Sequence, residues 1–271
     1  MVNIESPLYL AWQRGTQKVL KTQHLIVSGL KNMPLVGSCL LTPNHLNWKD
    51  VFFIAGVIPR QIHYVATHEL FHIKECQQMI LNYAVEKLGT WIRIPMKRIS
   101  KKLARIIVPR VRQIGTIPIR RKNHDKRFFE LAKDKLRNGK LVCIFPEGGV
   151  SLSGKLRRFK WGAAKMVYDL LMEGIERIPV IPVGMKGTEK MFFPGRNLFL
   201  RVGKPLYIDD FLLDNEKETL SYFSDILREK VNELIEDNDS VKGVTVENDR
   251  LILPDGPGLE EFQVSVQRKF L

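Results

Sequence analysis

The chain has 271 residues, 44% hydrophobic and 27% charged, the composition of an ordinary globular protein that can bury a full core in one large domain or two small ones. Its three cysteines, Cys39, Cys76 and Cys143, stand at wide, unpatterned spacing, which argues against a disulfide framework or a zinc knuckle and for a reducing compartment. A net charge of +14 implies an anionic partner: nucleic acid, anionic lipid or a phosphorylated substrate.

The first residues, MVNIESPLYLAWQ, lack the basic start, apolar stretch and cleavage site of a signal peptide. Pro7 to Leu30 reads as an amphipathic helix. Leu8, Trp12, Val19, Ile26 and Leu30 fall within roughly 40° of one another at about 100° per residue, with Arg14, Lys18 and Lys21 on the other side. Such a face packs on a core or lies in a membrane interface. No segment approaches the roughly 18 apolar residues that span a bilayer.

From Leu35 the texture alternates. Strands are expected at Gly37 to Thr42, Ile62 to Ala66, Lys140 to Phe145, Ile178 to Val183 and Leu198 to Val202. Helices are expected at Asn47 to Val57, Leu70 to Leu88, Lys126 to Asn138, Gly162 to Glu173 and Thr219 to Glu236. This pattern predicts an α/β fold: a mixed or mainly parallel sheet covered by helices, with an N-terminal amphipathic helix. Three regions follow: a helical segment at 1–34, a catalytic domain at 35–236 and a C-terminal appendage at 237–271. The appendage has short strand-like pieces at Val244 to Val246, Leu251 to Leu253 and Phe262 to Val266.

The charge is concentrated. Between Arg93 and Arg127 basic residues recur every few positions and Asp125 is the only acid. This reads either as a solvated basic helix face or as an anion-binding surface.

Four short stretches carry chemistry. The first is Asn44-His45, with Asp50 five residues after the histidine. Residues so spaced do not meet on a regular helix. They meet if His45 sits in a turn and Asp50 in the first helical turns. Asp50 then fixes the imidazole tautomer and leaves the other nitrogen as a base. The second is Gly115 to Arg121, a strand-like piece ending in Arg120 and Arg121, whose planar donors suit phosphate. In the third, Phe145-Pro146-Glu147-Gly148-Gly149, a buried strand delivers a carboxylate at its C-terminal end, where open α/β sheets place ligands. Arg157 and Arg158 follow it. The fourth, Val180 to Gly184, is an apolar strand containing Pro182.

In order and spacing these four resemble the motifs of the glycerolipid acyltransferase family, which includes the 1-acyl-glycerol-3-phosphate acyltransferases. The resemblance covers roughly Leu35 to Ile208 and is more specific than any single motif. The chain departs at two places. Arg120 stands where the family often has Asp or Asn. Gly149-Val150-Ser151 stands where it often has Thr-Arg-Ser, so Arg157 or Arg158 is expected to replace that arginine. The resemblance implies an enzyme that moves an acyl group from acyl-CoA or acyl-carrier protein to a lysophospholipid hydroxyl, 1-acyl-glycerol-3-phosphate first. His45 is then the general base and Asp50 its orienting partner, with no cofactor. Asn44, Arg120, Arg121, Phe145 to Gly149, Arg157 and Arg158 hold substrate. The enzyme is expected in the cytoplasm, peripheral and monotopic on the inner face of the cell membrane.

Two rival readings come from other classes. His68-Glu69-Leu70-Phe71-His72 matches the zinc-protease pattern His-Glu-x-x-His. Only Glu75 and Glu86 follow as third ligands, and the stretch falls where the acyltransferases carry an Ala-Lys-x-Glu-Leu-Phe-like sequence. A nucleic-acid binder would explain the charge. The basic segment, however, lacks interleaved aromatics for stacking on bases and carries no nucleic-acid fold signature, so no nucleic-acid partner is expected.

Overall fold

A computed structural model describes residues 6–120, 126–151, 154–175, 177–191, 193–236, 245–247 and 250–252. In chain order the elements are α1 (Pro7–Leu20), β1 (His24–Ser28), β2 (Cys39–Pro43), α2 (Asp50–Val57), β3 (Ile62–Thr67), α3 (Ile73–Leu88), α4 (Arg93–Gln113), β4 (Ile117–Ile119), α5 (Lys126–Arg137), β5 (Leu141–Cys143), α6 (Gly162–Met172), β6 (Val180–Lys186), β7 (Asn197–Val202), α7 (Glu216–Glu236), β8 (Thr245–Glu247) and β9 (Arg250–Ile252). Seven strands form one sheet in the order β1-β7-β6-β2-β5-β3-β4. Neighbours run parallel except β6 and β7. The expected mixed, mainly parallel sheet under helices is therefore the fold.

Alternation along the strands feeds two cores, because successive side chains leave a strand on opposite faces. Cys39 and Leu41 of β2, Leu141 and Cys143 of β5, and Ile181 and Val183 of β6 pack under α1 and α2, with Tyr9, Phe53 and Ile54. Leu40, Val142 and Val180 face the other way, onto α5, α6 and α7, against Leu136, Met166 and Phe223. Both faces of the central strands are dry, which is why they read as continuous apolar runs.

The N-terminal helix is shorter than the periodicity predicts. It ends at Leu20, and His24–Ser28 is a strand paired in parallel with β7, Leu25 and Val27 buried and His24 exposed. Leu25 and Val27 fall off the helical stripe that Ile26 joins, and the run of branched residues suits a half-buried strand. The sheet thus begins upstream of residue 35. The five-residue apolar face does not exist as one surface. Trp12 and Val19 pack against the core, and Trp12 makes edge contacts with Tyr9, Phe52 and Tyr64. Leu30 is buried in a short 3-10 turn, and Leu8 and Ile26 are half-buried.

The basic run contains a helix, α4, which folds back on α3 through buried Cys76, Ala104 and Val108. In the appendage β8 and β9 form an antiparallel pair, and Phe262 to Val266 lies outside the described residues. No helix among the described residues is long and apolar enough to cross a membrane.

Candidate active site

The parallel strands β2, β5 and β3 end at one edge of the sheet, and the loops there carry the first and third motifs. β2 closes on Pro43, which cannot extend the ladder. Asn44 follows, fully turned inward. Its side-chain amide donates to the Met185 carbonyl at 3.1 Å and its oxygen accepts from the Met185 amide at 2.8 Å, clamping the end of β2 to β6. His45 then leaves the sheet, and Asp50 opens α2.

The turn between them folds around the Asp50 carboxylate, which is 0% exposed. Its Oδ2 accepts from the Leu46 amide at 2.6 Å and the Asn47 amide at 2.9 Å, and lies 2.8 Å from His45 Nδ1. Its Oδ1 accepts from the Thr188 hydroxyl at 2.5 Å. Thr188 in turn accepts from the Asn47 side-chain amide at 3.1 Å. Two backbone amides, a hydroxyl and a helix N-terminus all present donors or positive potential to this acceptor. Oδ2 thus accepts the hydrogen bond of His45 Nδ1–H, which leaves the lone pair of His45 on Nε2. Nε2 has no partner among the described residues, and the side chain keeps 14% of its surface exposed. The ring lies on the Phe145 ring, centroids 4.0 Å apart and 22° between planes. The arrangement is that of an oriented, solvent-reaching base.

Glu147 does a different job from the one its sequence context implies. It is 2% exposed, and both oxygens are held by backbone: Oε1 by the His45 amide at 2.7 Å and Oε2 by the Arg157 amide at 3.0 Å. Burial pushes its carboxyl above the ordinary carboxylate range, against the downward pull of those two amides. Glu147 thus pins the His45 loop to the loop that follows β5. The Ser151 amide adds a bond to the His45 carbonyl at 2.8 Å. Gly148 has φ of 70°, the left-handed conformation that favours glycine, and a Cβ there would meet only the flexible end of the Lys160 side chain. Pro146 and Gly149 are buried, while Arg157 and Arg158 are exposed.

Arg120 lies at the end of β4, exposed, and donates to His68 Nε2 at 3.1 Å. Arg121 lies outside the described residues. His68 to Phe71 is a 3-10 turn and His72 is extended, with φ of −128°, so the two histidines do not share the α-helical face that the zinc-protease pattern requires. His68 Nε2 is 2.9 Å from His72 Nε2 and its Nδ1 is 3.3 Å from Glu75, and no group of three or more metal-ligating side chains occurs among the described residues.

The structure therefore joins Asn44, His45, Asp50, Phe145 and Glu147 and leaves Arg120 on the neighbouring strand end. Sequence reading missed the roles of Thr188 and Asn47. Thr188 follows Gly187 just past the fourth motif, and its only signal is a hydroxyl at the end of a buried strand.

A profile of the family described as Acyltransferase matches residues 78–186, which includes Glu147 and starts beyond Asp50. The 1-acyl-sn-glycerol-3-phosphate acyltransferase of Bacillus subtilis (strain 168) is 26% identical over 208 residues, 75% of this chain and 84% of that one. A chloroplastic 1-acyl-sn-glycerol-3-phosphate acyltransferase of Brassica napus is 25% identical over 205 residues, 72% of this chain and 49% of that one. The crystal structure of PlsC, the 1-acyl-sn-glycerophosphate acyltransferase of Thermotoga maritima, superposes with a TM-score of 0.57 over 86% of this chain and 81% of that one at 20% identity, a likeness of fold.

Proposed function

We propose that the chain is an O-acyltransferase of the glycerolipid acyltransferase family and that it acylates 1-acyl-glycerol-3-phosphate to phosphatidic acid, a reading supported by the acyltransferase profile and the bacterial relative. The donor is an acyl thioester of coenzyme A or acyl-carrier protein. The observation that carries this reading is the pairing of His45 with a fully buried Asp50 at 2.8 Å, its other ring nitrogen without a partner among the described residues. An acyl thioester is already electrophilic, and its thiolate leaves easily. The barrier lies in the weakly acidic alcohol. His45 Nε2 takes the hydroxyl proton as the oxygen attacks the carbonyl carbon, and Asp50 stabilises the imidazolium. The tetrahedral adduct collapses, the C–S bond breaks, and the proton passes from His45 to the departing thiolate. The products are the ester and a free thiol.

The acceptor phosphate is assigned to Arg121, with Arg157 or Arg158 supplementing it, since the last two guanidinium groups are exposed beside the pinned loop. Holding the acceptor in place supplies the positional part of the catalysis. The enzyme works as a peripheral protein on the inner, anionic face of the membrane, where its acceptor is dissolved. Thiol release from acyl thioesters against a panel of lysolipids tests the reading. Turnover should be fastest with lysophosphatidic acid. A preference for an acceptor without the phosphomonoester would refute the head-group assignment.

A further inference from the structure

Between β3 and β4 the chain makes the α3–α4 hairpin, and α4 is divided lengthwise into three. At about 100° per residue its side chains fall into three arcs, each roughly a third of the circumference. Ser100, Ala104 and Val108 form the first and are buried against α3. Arg98, Lys101 and Arg105 lead the second, which is exposed and basic. The third is exposed and mainly apolar: Ile99 keeps 48% of its surface in solvent, Leu103 39% and Ile106 49%, with Arg110 on the same side toward the C-terminal end of the helix. The hairpin tip continues the apolar character, with Trp91 75% and Ile94 86% exposed.

An apolar arc of branched side chains on the outside of a folded domain marks an interaction site. Its occupant follows from the chemistry beside it. From Arg93 to Gln113 there is no acid, so the flanking arc demands a negative surface. A second copy of the chain would set basic arc near basic arc. An acidic carrier protein would use the basic arc and leave the apolar one uncovered. A bilayer with anionic headgroups satisfies both: apolar side chains enter the acyl boundary and the lysines and arginines remain among the phosphates. The hairpin also begins at the C-terminal end of β3, the sheet edge that carries His45 and Glu147.

We infer that α4 with the hairpin tip is the membrane-docking element, its apolar arc inserted in an anionic leaflet with the catalytic edge facing that surface. This replaces the expected contact through Leu8, Trp12, Val19, Ile26 and Leu30, which pack largely on the protein itself. The inference rests on the lipid acceptor proposed above but is tested without substrate.

The full-length protein is co-sedimented with vesicles of phosphatidylcholine and phosphatidylglycerol in equal parts, and with phosphatidylcholine alone, across a salt series. Wild type should bind the mixed vesicles, and salt should weaken that binding. The double variant Ile99→Glu, Leu103→Glu should lose affinity by about tenfold or more at every salt concentration. Lys101→Glu, Arg105→Glu should lose affinity mainly at low salt. Both pairs are exposed, so unchanged thermal melting is expected and certifies the fold. Turnover of a short-chain, monomeric lysophosphatidate should be unaffected, and its absence already in wild type would defeat the acceptor assignment while leaving the vesicle result to stand or fall alone. The inference is overturned if the apolar pair leaves vesicle binding intact, if it acts only by dissolving a dimer seen in sedimentation velocity, or if its one effect is a raised KM for a carrier-protein donor.

Discussion

Thr188→Val tests the site at a residue that no motif names. Valine keeps the branched shape and removes only the hydroxyl, and with it the 2.5 Å bond to Asp50 Oδ1. The other oxygen retains its three donors, so the carboxylate stays in place but loses its fourth ligand while 0% exposed. A hydrogen bond to a buried charge contributes about 1.5–3 kcal/mol. Stability should fall by about that amount, roughly 3–12 °C in Tm for a chain of this size. Once Oδ1 is free to swing, the His45–Asp50 alignment loosens. If half or more of the loss reaches the transition state, kcat drops about 4- to 150-fold, with both KM values unchanged because Thr188 touches neither substrate. Differential scanning calorimetry and thiol-release kinetics read the two effects, and Thr188→Ser should restore both. A Thr188→Val enzyme with wild-type Tm and kcat would refute the claim that the carboxylate depends on this bond.

Asp50→Asn should lower kcat by about 10³-fold or more, because an amide neither stabilises imidazolium nor fixes the tautomer; circular dichroism should confirm a native fold. His63 supplies a pH prediction. It is buried, its Nδ1 2.8 Å from the Gly115 carbonyl, and burial holds it below the ordinary imidazole value despite that bond. The neutral ring is therefore favoured in the folded state. Its contribution is fully present above the unfolded value of about 6.5 and is lost as pH falls below it toward the folded value. Tm should fall more steeply on acidification for wild type than for His63→Gln, and equal slopes would contradict the assignment.

Much of the fold was legible because β2, β5 and β6 are short apolar runs and α5, α6 and α7 carry clear helical periodicity. The segment after Leu20 was not, since Leu25 to Val27 fits a helix or a half-buried strand by local pattern alone. Its pairing with β7, more than 170 positions away, decides the matter. The five-residue N-terminal stripe failed for the same reason: a periodic face does not reveal whether protein or lipid covers it. At the site, His45 and Asp50 were legible because the turn that joins them is local. Thr188 was not, because it reaches Asp50 across 138 residues. Glu147 stood out in the sequence, but its contacts did not, since the two backbone amides that occupy its oxygens come from distant positions, His45 and Arg157.

The central claim is that His45 Nε2 takes the acceptor proton. His45→Ala removes a largely buried ring stacked on Phe145 and leaves the Asp50 cage of amides and hydroxyl in place. Thiol release from an acyl thioester in the presence of lysophosphatidic acid, measured on the purified variant with its melting curve alongside, should fall to the uncatalysed background at near wild-type Tm. Turnover close to wild type in that folded variant would contradict the mechanism.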